Sequence, residues 1–279
     1  MEKWIGSLLV DAWPPEKPKF KSPLILVHGL WSSSRCWRPW GAHFSNLGWD
    51  CWAVNFRGRF EERALEALKR LRFQDCLDDL RQAIRAAPFP PVLLAHDLGG
   101  LMAQKAAEEE KVSALILLSS LPPREVMASL PRALRLLRLK YAPLLFLRRP
   151  FPIEAEDFRK HWLASLPLGS HAEPLRCLVP DSGYLAAEFF DRRVRINPKS
   201  VHCPVLVVGG SEDRVVSAAS LRDLARWLGA GLREYPGHGH WMMGEQSGEE
   251  IVRDIHRWIV KQLGEEILLG EEPTLGREL

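Results

Sequence analysis

A mostly parallel α/β sheet with helices on both faces follows from two observations: short, predominantly apolar runs bounded by turn residues, and helical patterns that alternate with them. The runs are Leu24–Val27, Cys51–Asn55, Val92–Ala95, Ala114–Leu118 and Pro204–Val208. A strand covered on both faces reads this way, because neither face needs polar residues for water. Between and after the runs, the spacing predicts helices over roughly Cys36–Leu47, Phe73–Ala86, Gly99–Glu109, Ala218–Leu228 and Glu249–Leu263. Upstream, Trp4–Trp13 predicts an antiparallel edge strand, and Leu232–Tyr235 reads as a further short strand.

The alternation stops between Leu121 and about Val201, where prolines recur at 122, 123, 131, 143, 150, 152, 167, 174, 180 and 198. Proline is costly inside a helix, so the stretch reads as several short helices, among them Arg132–Leu139 and Phe158–Ser165. Residues 1–120 and 201–279 are therefore assigned to an α/β core and 121–200 to an inserted helical lid. The lid carries 14 Lys+Arg against 8 Asp+Glu, a basic excess hidden in a net charge of +3 for the whole chain. Residues 265–279 read as a loosely held tail.

At 279 residues, with 46% hydrophobic and 26% charged residues, the chain has ample material for a core and is excluded from the disordered and disulfide-stapled classes. So small a net charge gives no argument for nucleic acid. Five cysteines without a paired spacing favour reduced thiols and a cytoplasmic location. No run is long and apolar enough for stable membrane insertion. The oligomeric state stays open, a homo-oligomer included.

The chemistry concentrates in Val92-Leu93-Leu94-Ala95-His96-Asp97-Leu98-Gly99-Gly100, a buried strand that turns sharply into a helix, with glycines where backbone passes close to backbone. Such a turn exposes one side chain, here Asp97. A helix N-cap is the alternative role for an aspartate at this place. His28-Gly29-Leu30-Trp31 follows the first long strand. Asp213, in Gly209-Gly210-Ser211-Glu212-Asp213, stands just past another strand, and Pro236-Gly237-His238-Gly239-His240-Trp241 supplies two histidines later in the chain. Asp213 also suits a turn or cap before Ala218. The pair of histidines has no carboxylate or cysteine at ligand spacing, so no metal is expected.

In these motifs, together with Trp37, Gly48-Trp49 and Arg57-Gly58, the chain from about Trp4 to Leu263 resembles the α/β-hydrolase-fold enzymes, in the branches similar to lysophospholipases and epoxide hydrolases. The resemblance implies a triad in the order nucleophile, acid, histidine, an oxyanion hole from the Leu30 and Leu98 amides, and no cofactor. The family's Gly-His-aromatic ending, matched by Gly239-His240-Trp241, assigns the base to His240, oriented by Asp213. Asp97 stands where most of the family has serine.

A carboxylate attacking an ester carbonyl would make a high-energy anhydride, whereas attack on an sp3 carbon makes an ordinary ester. Epoxides and alkyl halides are the substrates of that logic. Water activated by His240 would then cleave the Asp97 ester, with negative charge developing on the enzyme's own carboxyl oxygen. The epoxide hydrolases the chain resembles protonate the opening oxygen with two lid tyrosines, which makes Tyr141 and Tyr184 the expected acids. Haloalkane dehalogenases have tryptophan after the nucleophile and fluoroacetate dehalogenases arginine; here Leu98 stands there. Trp31 replaces the proline common in epoxide hydrolases, and this loop looks more like the esterase-like branch.

The expected function is therefore an epoxide hydrolase acting on a small hydrophobic epoxide and water, with Leu30, Trp31, Leu98 and Trp241 around the substrate. A dehalogenase or another hydrolase of this fold is the first alternative, and a non-catalytic ligand-binding protein the second. The basic amphipathic stretch Arg132–Lys140 is expected to lay its apolar face on the pocket and keep its arginines in water, in preference to touching anionic lipid.

Overall fold

The structure, a computed structural model, describes residues 1–60, 64–127 and 129–269. Eight strands form one sheet in the order β1-β2-β4-β3-β5-β6-β7-β8. They are β1 (Glu2–Ile5), β2 (Leu8–Trp13), β3 (Leu24–Val27), β4 (Cys51–Asn55), β5 (Val92–His96), β6 (Ala114–Leu118), β7 (Val205–Gly210) and β8 (Gly231–Tyr235). From β4 to β8 all neighbours run parallel, and every residue of β3 to β7 is buried, as predominantly apolar runs require.

The expected single edge strand at Trp4–Trp13 is instead a hairpin: β1 pairs antiparallel with β2, which pairs antiparallel with β4. Gly6, at a φ of 58°, makes the reversal, a conformation open to glycine without Cβ strain. The eleven helices are α1 (Arg38–Asn46), α2 (Ala64–Leu68), α3 (Phe73–Ala86), α4 (Leu98–Ala106), α5 (Arg132–Lys140), α6 (Ala142–Phe146), α7 (Ala155–His161), α8 (Ala172–Arg176), α9 (Gly183–Phe190), α10 (Ala218–Leu228) and α11 (Gly248–Leu263) among the described residues. α1 packs on α11 and α3 on α4, sandwiching the sheet.

β6 and β7 are adjacent and parallel, yet the chain between them contributes α5 to α9, all short helices. The helix expected over Phe158–Ser165 lies earlier, at Ala155–His161, where Glu156 and Asp157 favour the N-terminal turn and Arg159, Lys160 and His161 the last. The start of the expected loose tail is held down: Ile267 is buried, Leu268 bridges to Phe20, and the Leu269 amide donates to the Lys19 carbonyl. Residues 270–279 lie outside the described residues.

Candidate active site

Asp97 sits between β5 and α4 with φ 54° and ψ −126°, a backbone conformation strained for any residue with a Cβ. Its amide donates to the Leu118 carbonyl at 3.3 Å, and its carbonyl accepts from the Gly100 and Leu121 amides, both at 3.1 Å. Bonds on both sides of the turn hold the strain. A Cβ at Gly99 would collide with the His28 carbonyl, and one at Gly29 with the Asp97 carboxylate, so both glycines permit the elbow and the His28 loop to meet. Asp97 starts α4 but makes no side-chain cap, which removes the N-cap role weighed for it.

The side chain instead divides its two oxygens. Oδ2 accepts from the Leu30 amide at 3.0 Å, while Oδ1 lies 3.6 Å from His240 Nε2. On the far side of the imidazole, Nδ1–H donates to Asp213 at 2.9 Å to Oδ2 and 3.1 Å to Oδ1. Asp213 is fixed in turn by the Val215 and Val216 amides, both 2.8 Å from Oδ1. It is both the turn residue and the partner of the histidine. His238 is elsewhere: its ring binds the Pro236 carbonyl and the Ser247 hydroxyl.

The three side chains are almost wholly sealed from solvent. For His240, burial opposes charge, but two facing carboxylates outweigh it and raise its pKa to about 9. Burial likewise opposes charge on Asp97; the hydrogen bond and charge of His240, with smaller help from His96 and the Leu98 amide, still hold its carboxyl below the usual range. These directions favour an Asp97 carboxylate facing a His240 imidazolium at neutral pH. His96, beneath His240 with Nε2 3.0 Å from the His240 carbonyl, is depressed to about 4 by burial and by His240, and stays neutral. His28 is buried under the loop, its Nδ1–H on the Gly29 carbonyl at 2.9 Å.

Aromatic rings roof the site. Trp162 meets His240 edge-on at 6.0 Å and Trp31 at 5.8 Å; Phe158 stacks on Trp162 and meets Trp241, which also contacts His96. Trp31 and Trp241 thus take part in this aromatic cluster together with Phe158 and Trp162, which the sequence reading did not single out. Their signal was an aromatic pair four residues apart.

The lid tyrosines do not join this cluster. The Tyr141 hydroxyl donates to Asp157 at 2.7 Å and accepts from the Glu154 amide at 2.9 Å, and burial with the Asp157 bond lifts its pKa to about 12. The Tyr184 ring lies against the Arg72 and Arg148 guanidinium groups, in a cleft with Leu65, Lys69 and Leu147. Among the described residues, neither has a hydrogen bond or ring contact with a triad member. Tyr141 has its hydroxyl bonded to Asp157 and the Glu154 amide, and Tyr184 lines a surface cleft, so the structure does not bring the two expected acids to the triad.

One buried ion pair, also unforeseen, ties the lid to the oxyanion loop. Asp181 Oδ2 accepts from the Trp31 amide at 2.9 Å and pairs with Arg59 at 2.7 Å, and Arg59 also donates to the Ser32 carbonyl. The Val179 amide holds the Trp31 carbonyl at 3.0 Å, so both sides of Trp31, at a φ of 53°, are pinned by lid residues. Asp181→Asn should lower stability by about 3–5 kcal/mol, because it leaves the Arg59 charge buried without a counter-ion. Thermal unfolding of the purified variant measures this; an unchanged midpoint would show that the pair is dispensable.

The sequence from residue 24 to 254 matches the family described as Alpha/beta hydrolase family. The chain belongs to the alpha/beta hydrolase family. Among solved structures, this hydrolase is similar to the monoacylglycerol lipase of Paleococcus ferrophilus, at 19% identity and a TM-score of 0.69, covering 92% of this chain and 99% of that one. It is similar also to MenH from S. aureus (17%, TM-score 0.70, 90% and 97%) and to a thermophilic esterase from Thermogutta terrifontis (18%, TM-score 0.67, 91% and 94%). No curated relative matches it. At such identities the likeness establishes the shared fold and nothing about substrate.

Proposed function

We propose that this hydrolase opens epoxides to vicinal diols through a covalent ester on Asp97. The observation that carries this reading is the division of the carboxylate. With Oδ2 already on the Leu30 amide, the oxyanion hole is filled by the enzyme's own oxygen and has no room for an ester substrate's carbonyl oxygen. Oδ1 is left as the nucleophile. It is anionic in the resting state and needs no base to activate it.

His240 supplies the proton that the tyrosines do not. Oδ1 attacks an epoxide carbon, the carbon–oxygen bond breaks, and the leaving oxygen takes the proton from Nε2 of the imidazolium, which faces Oδ1 at 3.6 Å. Asp97 is now a neutral ester. Having given up its proton and lost one facing negative charge, His240 has a lower pKa and stays neutral, a base available at neutral pH. It takes a proton from water, which adds to the Asp97 carbonyl carbon while charge develops on Oδ2 at the Leu30 amide. Collapse expels the diol's oxygen, which takes the proton of the new carboxylic acid. Asp97 ends as carboxylate and His240 as imidazolium, as they began.

The sign of the pH dependence follows. Alkylation needs protonated His240, so its single-turnover rate should fall as pH rises through about 9, while ester hydrolysis, which needs the neutral ring, should not fall there. Rapid-quench kinetics separate the two steps. The deciding experiment is a single turnover of styrene oxide with excess enzyme in oxygen-18 water. Label should enter Asp97 and be absent from the first diol formed; a labelled first diol with unlabelled Asp97 would sink the covalent route.

One observation favours carbon–halogen cleavage as a second reading. Trp31 Nε1–H is buried without an acceptor among the described residues, as a halide-binding donor would be. Release of bromide from 1-bromobutane faster than turnover of any epoxide would select it.

A further inference from the structure

The consecutive helices α5 and α6 are apolar on two opposite sides. Leu134, Leu137, Tyr141 and Leu145 face inward and are buried. Leu136, Leu139, Phe146 and Leu147 face outward, with Leu139 72% and Phe146 84% exposed. The sequence led to the expectation of a single apolar face, and the exposed outer leucines need another account. From Arg132 to Arg149 the segment has six cations and no carboxylate, which equals the whole basic excess of the lid.

These residues form one surface. Arg138 and Ala142 line a cleft with Leu139 and Arg135, and line the next cleft with Phe146 and Arg148; Arg148 continues into a third with Leu147, Arg149 and Leu65 of α2, itself 58% exposed. Arg138 and Lys140 are paired with lid carboxylates. Arg132, Arg135 and Arg149 are exposed and form no ion pair among the described residues.

We propose that this face docks the protein on an anionic lipid bilayer. Exposed leucines and a phenylalanine flanked by arginines suit the boundary between headgroups and acyl chains, where apolar tips are buried while guanidinium groups meet phosphate. A second copy of the chain is disfavoured because a two-fold contact would set like charges face to face. Nucleic acid would satisfy the arginines and leave Phe146 and Leu139 unburied. Docking is peripheral, since no helix among the described residues is long and apolar enough to cross a membrane. On its inner side the segment reaches the loop after β3 through two ring contacts, Tyr141 stacked on Phe151 and Phe151 edge-on to Trp31.

The test is sedimentation of the full chain with vesicles of phosphatidylcholine, alone or with 30% phosphatidylglycerol. Binding should require the anionic lipid and weaken in 0.5 M NaCl. The Leu139→Ser/Phe146→Ser variant should bind at least tenfold less, and Arg132→Gln/Arg135→Gln roughly fivefold less per cation removed. All four side chains are exposed, and unchanged thermal midpoints and epoxide turnover in solution would show the variants folded. No binding to anionic vesicles, or binding that neither variant weakens, would overturn the proposal. So would a wild-type oligomer in sedimentation velocity that Leu139→Ser/Phe146→Ser dissolves, or preferential binding of duplex DNA over vesicles. None of these outcomes bears on the Asp97 ester.

Discussion

His240→Gln enzyme should react with styrene oxide once and then stop. Asp97 remains an anion whose Oδ2 is held by Leu30, so Oδ1 can still attack, though without the imidazolium as acid the attack slows by about 10²–10⁴. The ester so formed has no base to activate water. Steady turnover should fall by at least about 10⁴, comparable to loss of a triad member in serine enzymes. Intact-protein mass should show one substrate added, and peptide mapping should place it on Asp97. A variant that turns over slowly with no mass increase would mean that alkylation never occurs, and the covalent route would fail with it.

Asp97→Ser should exchange one chemistry for the other. Serine at the elbow keeps the nucleophile's position but removes Oδ2, which frees the Leu30 amide for a substrate carbonyl. It also removes one of the two carboxylates that lift His240 to about 9, so the ring moves back toward a neutral base able to take the serine proton. Epoxide turnover should drop by about 10⁴ or more, because a serine hydroxyl is a weak nucleophile toward an sp3 carbon. Hydrolysis of p-nitrophenyl acetate should rise above wild type by roughly 10²-fold, the scale of one properly occupied oxyanion donor. A serine variant as inert toward esters as the wild type would contradict the assignment of the hole.

Asp97 and Asp213 were legible in the sequence because they stand past the ends of buried strands, which announce themselves by local composition. His240 follows β8, a half-exposed edge strand, and was legible from the Gly-His-aromatic pattern instead. Leu30 was legible as the residue after the His-Gly pair that follows β3. The lid obeys no such grammar. Whether Tyr141 points at substrate or at Asp157 depends on how two short helices with no sheet to register them pack on one another. Asp181 and Arg59 are 122 residues apart, and nothing local in either segment says that they meet. The β1–β2 hairpin was within reach, since Gly6-Ser7 interrupts the run Trp4–Trp13, but an apolar stretch of that length reads equally as one strand.

The pinning of Trp31 by Val179 and Asp181 bears on how such an enzyme can change. Lids in this architecture look like interchangeable parts, inserted at one point between two core strands. Here the part is not interchangeable, because the geometry of the oxyanion loop is written partly in lid residues. A grafted lid lacking an aspartate at this station would fit the core and still leave the Leu30 amide misaimed. New substrate pockets should therefore arise more readily by substitution within the lid, around Phe158 and Trp162, than by wholesale exchange. The junction makes the two parts inherit together.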